Sequence, residues 1–89
     1  MVQHNLTILN QLGLHARPAA LIAQTAGSFR SAIRLEKDEV CVDAKSIMGV
    51  MMLAAEHGAT LKLTAEGPDE QEAASAIKAL FENRFNEEF

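Results

Sequence analysis

His15 and Arg17 stand two residues apart in Gly13-Leu14-His15-Ala16-Arg17-Pro18, and their side chains suit one kind of chemistry. With an ordinary pKa of about 6.5, imidazole is mostly neutral near pH 7, so one ring nitrogen offers a lone pair. A phosphoryl group taken up on nitrogen is labile and can be passed on. A guanidinium pairs with phosphoryl oxygens in a forked geometry that an ammonium cannot reproduce. Pro18 locates the pair: in the first turn of a helix its missing N–H costs nothing, whereas deeper it would break the ladder. His15 therefore belongs at a helix N-terminus, where unpaired amides and a partial positive charge favour an anion. That charge also disfavours the imidazolium, and the amides of Ala16 and Arg17 are further donors. The stretch points to a phosphoryl group held covalently by the protein itself.

The elements that must position these residues follow from periodicity. Val2, Leu6 and Ile8 alternate with Gln3, Asn5, Thr7 and Leu9, a strand pattern in which His4 is a rim residue. Asn10 to Gly13 is a loop. Pro18, Ile22, Ala26 and Phe29 then follow helical spacing from Ala16 to about Ala26, and Gly27 supplies the stop. Ala32 to Lys37 and Val40 to Asp43 read as strands joined through Asp38-Glu39. Ser46 is a helix N-cap for a short helix to about Leu53. Thr60 to Ala65 alternates again, with Leu61, Leu63 and Ala65 on one face. After the Gly67-Pro68 turn, Asp69 and Glu72 form a capping-box pair. The last helix carries the stripe Ala73, Ala74, Ile77, Leu80, Phe81, Arg84 and Phe85, with Arg84 snorkelling at its edge. Asn86 to Phe89 frays.

This β-α-β-β-α-β-α order implies an α+β fold with helices on one face of a sheet whose other face is solvated. At 89 residues the chain forms one domain, residues 1–89. The net charge of −4 argues against nucleic acid, whose affinity rests on Lys/Arg–phosphate contacts. Cys41 is the single cysteine, which excludes an intrachain disulfide and fits a reducing compartment. In Val40-Cys41-Val42 it reads as a buried structural thiol. No basic-then-apolar leader and no run near the ~20 apolar residues that span a bilayer is present, so the expected location is the cytoplasm, with no membrane insertion. His4, Cys41 and His57 share no metal-ligand spacing, and no metal or cofactor is expected. His57, before Gly58, reads as a solvated loop residue.

Gly13-Leu14-His15-Ala16-Arg17-Pro18 resembles the signature of HPr, the histidine-containing phosphocarrier family of the bacterial phosphoenolpyruvate-dependent phosphotransferase system. Lys45-Ser46-Ile47-Met48-Gly49-Val50-Met51 resembles the family's second signature, and the resemblance spans essentially the whole chain. It implies an open-faced sandwich of four antiparallel strands and three helices. It also implies that His15, at Nδ1, accepts a phosphoryl group from phospho-enzyme I and gives it to a histidine or cysteine of an enzyme II component, enzyme IIA, with Arg17 steadying the group. The chain would then be a covalent carrier and a monomeric substrate of other enzymes, not a stand-alone catalyst.

The same resemblance implies regulatory phosphorylation of Ser46 by an HPr kinase/phosphorylase. A phosphate would sit well on the helix N-terminus, so its charge of about −2 would act on approaching partners and not on the fold. The short helix is apolar nearly all round and cannot bury every side against one sheet. The resemblance points to Ile47, Met48 and Met51 as the exposed partner face; Val50 and Leu53 are core candidates, and Met52 is left open. Flexible methionines suit a surface that meets several partners.

Other readings compete. A carrier of the nitrogen-related branch, with a purely regulatory phosphorelay, is suggested by the acidic, Phe-containing C-terminus. An acylphosphatase-like small enzyme is the remote alternative; its N-terminal arginine-rich phosphate loop is not visible. An RNA-binding module would need aromatics on its strands, and the four Phe lie outside them.

Overall fold

Leu61, Leu63 and Ala65 are buried while Thr60, Lys62 and Glu66, of the opposite parity, are exposed, and β4 (Thr60–Glu66), which carries them, has a paired strand on each side. A computed structural model describes residues 1–87. β1 (Val2–Thr7), β2 (Ala32–Lys37) and β3 (Val40–Asp43) complete an antiparallel sheet of order β1-β4-β2-β3. The register sets Leu6 opposite Leu61, Leu35 opposite Leu63 and Ile33 opposite Ala65, so one face is continuously apolar. Three helices cover that face: α1 (Ala16–Gly27), α2 (Ile47–Met52) and α3 (Glu70–Glu82). This is the open-faced sandwich that the family resemblance implies, with the helices on one face as the element order requires. The outer face carries Arg34 and Lys62, 3.8 and 4.0 Å from Glu66 and Glu36. Exposed pairs of this kind contribute about 0–1 kcal/mol each.

α1 buries Pro18, Ala19, Ile22, Ala23 and Ala26, a stripe of helical period. Gly27 does not stop the helix from a left-handed position beyond it; it is the last helical residue, and the amide of Ser28 bonds back to Thr25 and Ala26. The β2–β3 hairpin turns on Asp38 and Glu39, both left-handed at φ 49° and 72°, as in the primed turns that match strand twist.

Four further expectations are corrected. Cys41 is exposed: strand alternation on the edge strand β3 turns Val42 toward the core and Cys41 onto the solvated face. Asp69 stands at the N-cap of α3 but makes no capping bond there. Its carboxylate instead accepts from the amides of Arg30 and Ser31, at 2.9 Å each, and from Ser31 Oγ at 2.6 Å. Glu70 takes over locally, accepting from the amide of Gly67 at 3.1 Å. The clamp brings the backbones so close that a Cβ on Gly67, at φ 151°, would lie 2.7 Å from Ser31 Cα.

The remaining two corrections concern the C-terminal segment. The stripe of α3 ends at Phe81; Arg84 is exposed and lies beyond the helix. Arg84, Phe85 and Asn86 are all left-handed, with φ of 54°, 54° and 61°. This turn reverses the chain and brings Phe85 back into the core, its ring edge-on to Phe81 at 4.9 Å. Asn86 and Glu87 therefore do not fray, while the same expectation for residues 88–89 lies outside the described residues.

Candidate functional site

The loop before α1 is locked by backbone contacts. Gly13 has φ 70°, and a Cβ there would lie 2.6 Å from the carbonyl oxygen of Ala55. That same carbonyl accepts from the amide of Leu14 at 3.0 Å, and the Leu14 side chain is buried. Only glycine allows this approach at this φ, so the first residue of the motif fixes the path by which the chain reaches His15.

His15 is the N-cap of α1, extended at φ −80° and ψ −171°, and its ring makes no bond back to the backbone. The first helical bond runs from Ala19 N to the His15 carbonyl at 3.1 Å. Pro18 has no N–H, so the helix leaves the amides of Ala16 and Arg17 without an intrahelical acceptor. The ring is 37% exposed, open enough to meet another macromolecule.

Glu87, which the sequence offers only as part of the acidic, fraying C-terminus, closes the site. Its Oε2 lies 2.6 Å from His15 Nε2 and 3.3 Å from Arg17 Nη1, and its Oε1 accepts from Asn10 Nδ2 at 2.8 Å. Arg17 Nη1 also donates to the Phe85 carbonyl at 2.9 Å, which ties the helix start to the left-handed turn. Burial pushes the Glu87 carboxyl up, but hydrogen bonds from Asn10 and His15 with the charges of His15 and Arg17 outweigh it and hold the group below the ordinary glutamate range. Asn10, fully buried, donates from the same Nδ2 to the Gly13 carbonyl at 2.9 Å. No local pattern marks Glu87 or its bond to Asn10, because its contacts to Asn10 and His15 join residues more than 70 positions apart.

Ser46 caps α2, its Oγ accepting from the amide of Gly49 at 3.0 Å. Val50 and Leu53 point inward. Ile47, Met48, Met51 and Met52 are exposed by 44%, 72%, 40% and 71%, so most of the apolar surface of this helix faces solvent. α2 packs on α1, whose first turn carries the His15 site. Leu12, in the loop that leads to His15, is a further exposed apolar residue that the sequence reading did not single out. His57 is exposed, and His4 is half-buried at the sheet rim.

A groove of about 430 Å³, lined by Arg30, Arg34, Cys41, Asp43 and Lys45 among others, shares no residue with the His15 site. His15 itself stands at the surface. Among the described residues no group of three His, Cys, Asp or Glu side chains could hold a metal ion, and no helix is long and apolar enough to cross a membrane.

The model of the family described as "PTS HPr component phosphorylation site" matches residues 2–83. Phosphocarrier protein HPr of Treponema pallidum (strain Nichols) is 56% identical over 88 residues, covering 99% of this chain and all of its own length. The crystal structure of an HPr from Thermoanaerobacter tengcongensis aligns with a TM-score of 0.96 at 52% identity, covering both chains entirely. A structure of an HPr dimer from the same organism aligns with a TM-score of 0.79 at 52% identity, over 98% of this chain and all of that one. Sequence, fold and exposed helix-start histidine agree, and the chain belongs to the HPr family, the phosphocarriers of the phosphotransferase system.

Proposed function

We propose that the phosphoryl group travels on Nδ1 of His15, received from phospho-enzyme I and given to enzyme IIA components. The observation that carries this reading is the placement of a part-exposed imidazole as the N-cap of α1, beside two amides that the helix leaves unpaired and the guanidinium of Arg17. Nδ1 attacks phosphorus, the amides of Ala16 and Arg17 and the Arg17 fork take up charge on the phosphoryl oxygens, and the partner enzyme supplies the rest of the transition-state environment. The chain is a covalent intermediate between enzymes and not a stand-alone catalyst.

Partners dock on the exposed apolar face of Ile47, Met48 and Met51. Ser46 is a regulatory phosphorylation site for an HPr kinase/phosphorylase; a phosphate on this N-cap favours the helix terminus while placing charge beside the docking face. The protein works in the cytoplasm as a monomer, in contrast to the related dimer. Of the two edge strands, β1 has six residues and β3 four, so the β3 edge offers little length for pairing with a second copy.

Incubation with enzyme I and phosphoenolpyruvate, followed by intact-mass measurement, tests the central claim. One phosphoryl group is expected on the parent, lost in mild acid, and none on His15→Ala. Stable labelling of the alanine variant would overturn the assignment. A panel of enzyme IIA proteins from the sugar and nitrogen branches shows which accept the group.

A further inference from the structure

We propose that Glu87 is a positioning residue for His15: its carboxylate holds the imidazole in the Nε2–H tautomer, keeping the lone pair on Nδ1, and balances the charge that the ring gains when Nδ1 is phosphorylated. The proposal rests on His15 as the phosphoryl acceptor and deepens that reading.

An ionised carboxylate only accepts hydrogen bonds, and the bond from Asn10 and the charge of Arg17 favour the ionised form of Glu87 whether or not the His15 ring is charged. At 2.6 Å from Glu87 Oε2, His15 Nε2 must therefore be the donor. A neutral imidazole has a single N–H, so the lone pair lies on Nδ1. The two ring nitrogens face away from each other, and a carboxylate on Nε2 leaves the approach to Nδ1 open. A carboxylate that orients a histidine through its other ring nitrogen is a recurring arrangement.

The carboxylate is itself held in place. Asn10 grips Oε1 at 2.8 Å and Arg17 approaches Oε2 at 3.3 Å, leaving the Glu87 side chain 9% exposed. Asn10 fixes the loop through Gly13 with the same nitrogen, and its Oδ1 is buried with no partner among the described residues. The Asn10 amide nitrogen thus joins the loop before His15 to the carboxylate on its ring.

In the transfer, the Nδ1 lone pair forms the new P–N bond. The P–N bond to the phosphohistidine of the donor protein breaks, and its electron pair returns to the donor nitrogen. The Nε2 proton stays where it is, so the His15 ring becomes a phosphorylated imidazolium with Glu87 as its counter-ion. No other co-reactant is required.

The test compares the parent with Glu87→Ala and Glu87→Gln by ¹⁵N NMR of the unphosphorylated His15 ring and by the rate of phosphorylation from enzyme I. The parent is expected to show unprotonated Nδ1 and a slowly exchanging Nε2–H. Glu87→Ala loses the protected proton and is phosphorylated about tenfold more slowly, the loss of one charge-assisted hydrogen bond. Glu87→Gln, whose amide oxygen still accepts, regains the protected Nε2–H without the negative charge. An Nδ1–H ring in the parent, or an alanine variant with unchanged rate, overturns the proposal. The NMR arm needs no phosphoryl transfer, whereas a parent that is never labelled on His15 overturns the acceptor reading instead.

Discussion

At the scale of single residues, Arg17 has two sets of obligations. In the resting protein its contacts to Phe85 and Glu87 run through Nη1, and a phosphoryl group on His15 needs the rest of the fork. Lysine would keep the charge and lose the planar pair of donors. Arg17→Lys is therefore expected to accept one phosphoryl group on His15 but to pass it on about tenfold more slowly, since a paired set of bonds is reduced to a single contact. Rapid-quench measurement of transfer to an enzyme IIA reads this directly; a lysine variant as fast as the parent would show that charge alone suffices. Ser46 allows its capping role and its proposed regulatory role to be tested separately. Ser46→Ala removes the bond to Gly49 and should cost about 1 kcal/mol. Ser46→Asp keeps a capping acceptor, so it should melt near the parent while slowing phosphorylation by enzyme I. If Ser46→Asp transfers as fast as the parent, charge at this position does not regulate docking.

At the scale of elements, what could be read from the chain and what could not divide along physical lines. β4 and α1 were legible because each buries one face, and one-sided burial imposes a period of two or of 3.6. The His15 site was legible in part, because Pro18 and Gly13 carry local backbone requirements that only those residue types meet. Three consecutive apolar residues on β3 gave no parity, so the direction of Cys41 was settled only by pairing with β2. Asp69 looked like a cap and was recruited by Ser31, 38 residues away. The turn at Arg84–Asn86 uses left-handed residues without a glycine, so it carried no signal, and Glu87 was hidden with it. The Gly67–Ser31 contact yields a prediction at this scale. Gly67→Ala combines a φ that side chains rarely adopt with a 2.7 Å clash against backbone, so it should destabilise by about 2 kcal/mol or more. For a domain this size that is a fall of roughly 8–16 °C in Tm. An alanine variant melting within a degree or two of the parent would mean that the α1–β2 connection yields freely.

For the molecule as a whole, the ends of its elements are fastened by carboxylates. Asp69 ties the start of α3 to the start of β2, and Glu87 ties the C-terminal segment to the start of α1. Both are held below their ordinary range: Asp69 by the hydroxyl of Ser31 and the amides of Arg30 and Ser31, Glu87 by bonds and charges that outweigh its burial. A carboxyl with a depressed folded-state pKa binds its proton more readily in the unfolded chain. Its contribution is fully present above the unfolded value and is lost as pH falls through the folded one. Tm should therefore change little from neutral pH down to about pH 5 and then fall, because ordinary carboxyl values lie at about 4. Asp69→Asn provides the control. It should melt lower than the parent at neutral pH and lose less on acidification, so that the two curves converge toward pH 2. Glu87→Gln should narrow the same gap while leaving the Ser31 clamp intact. Curves for Asp69→Asn and parent that stay parallel through the acid limb would place the acid sensitivity in other carboxylates, and the clamp would then hold the fold by shape without contributing to its pH dependence.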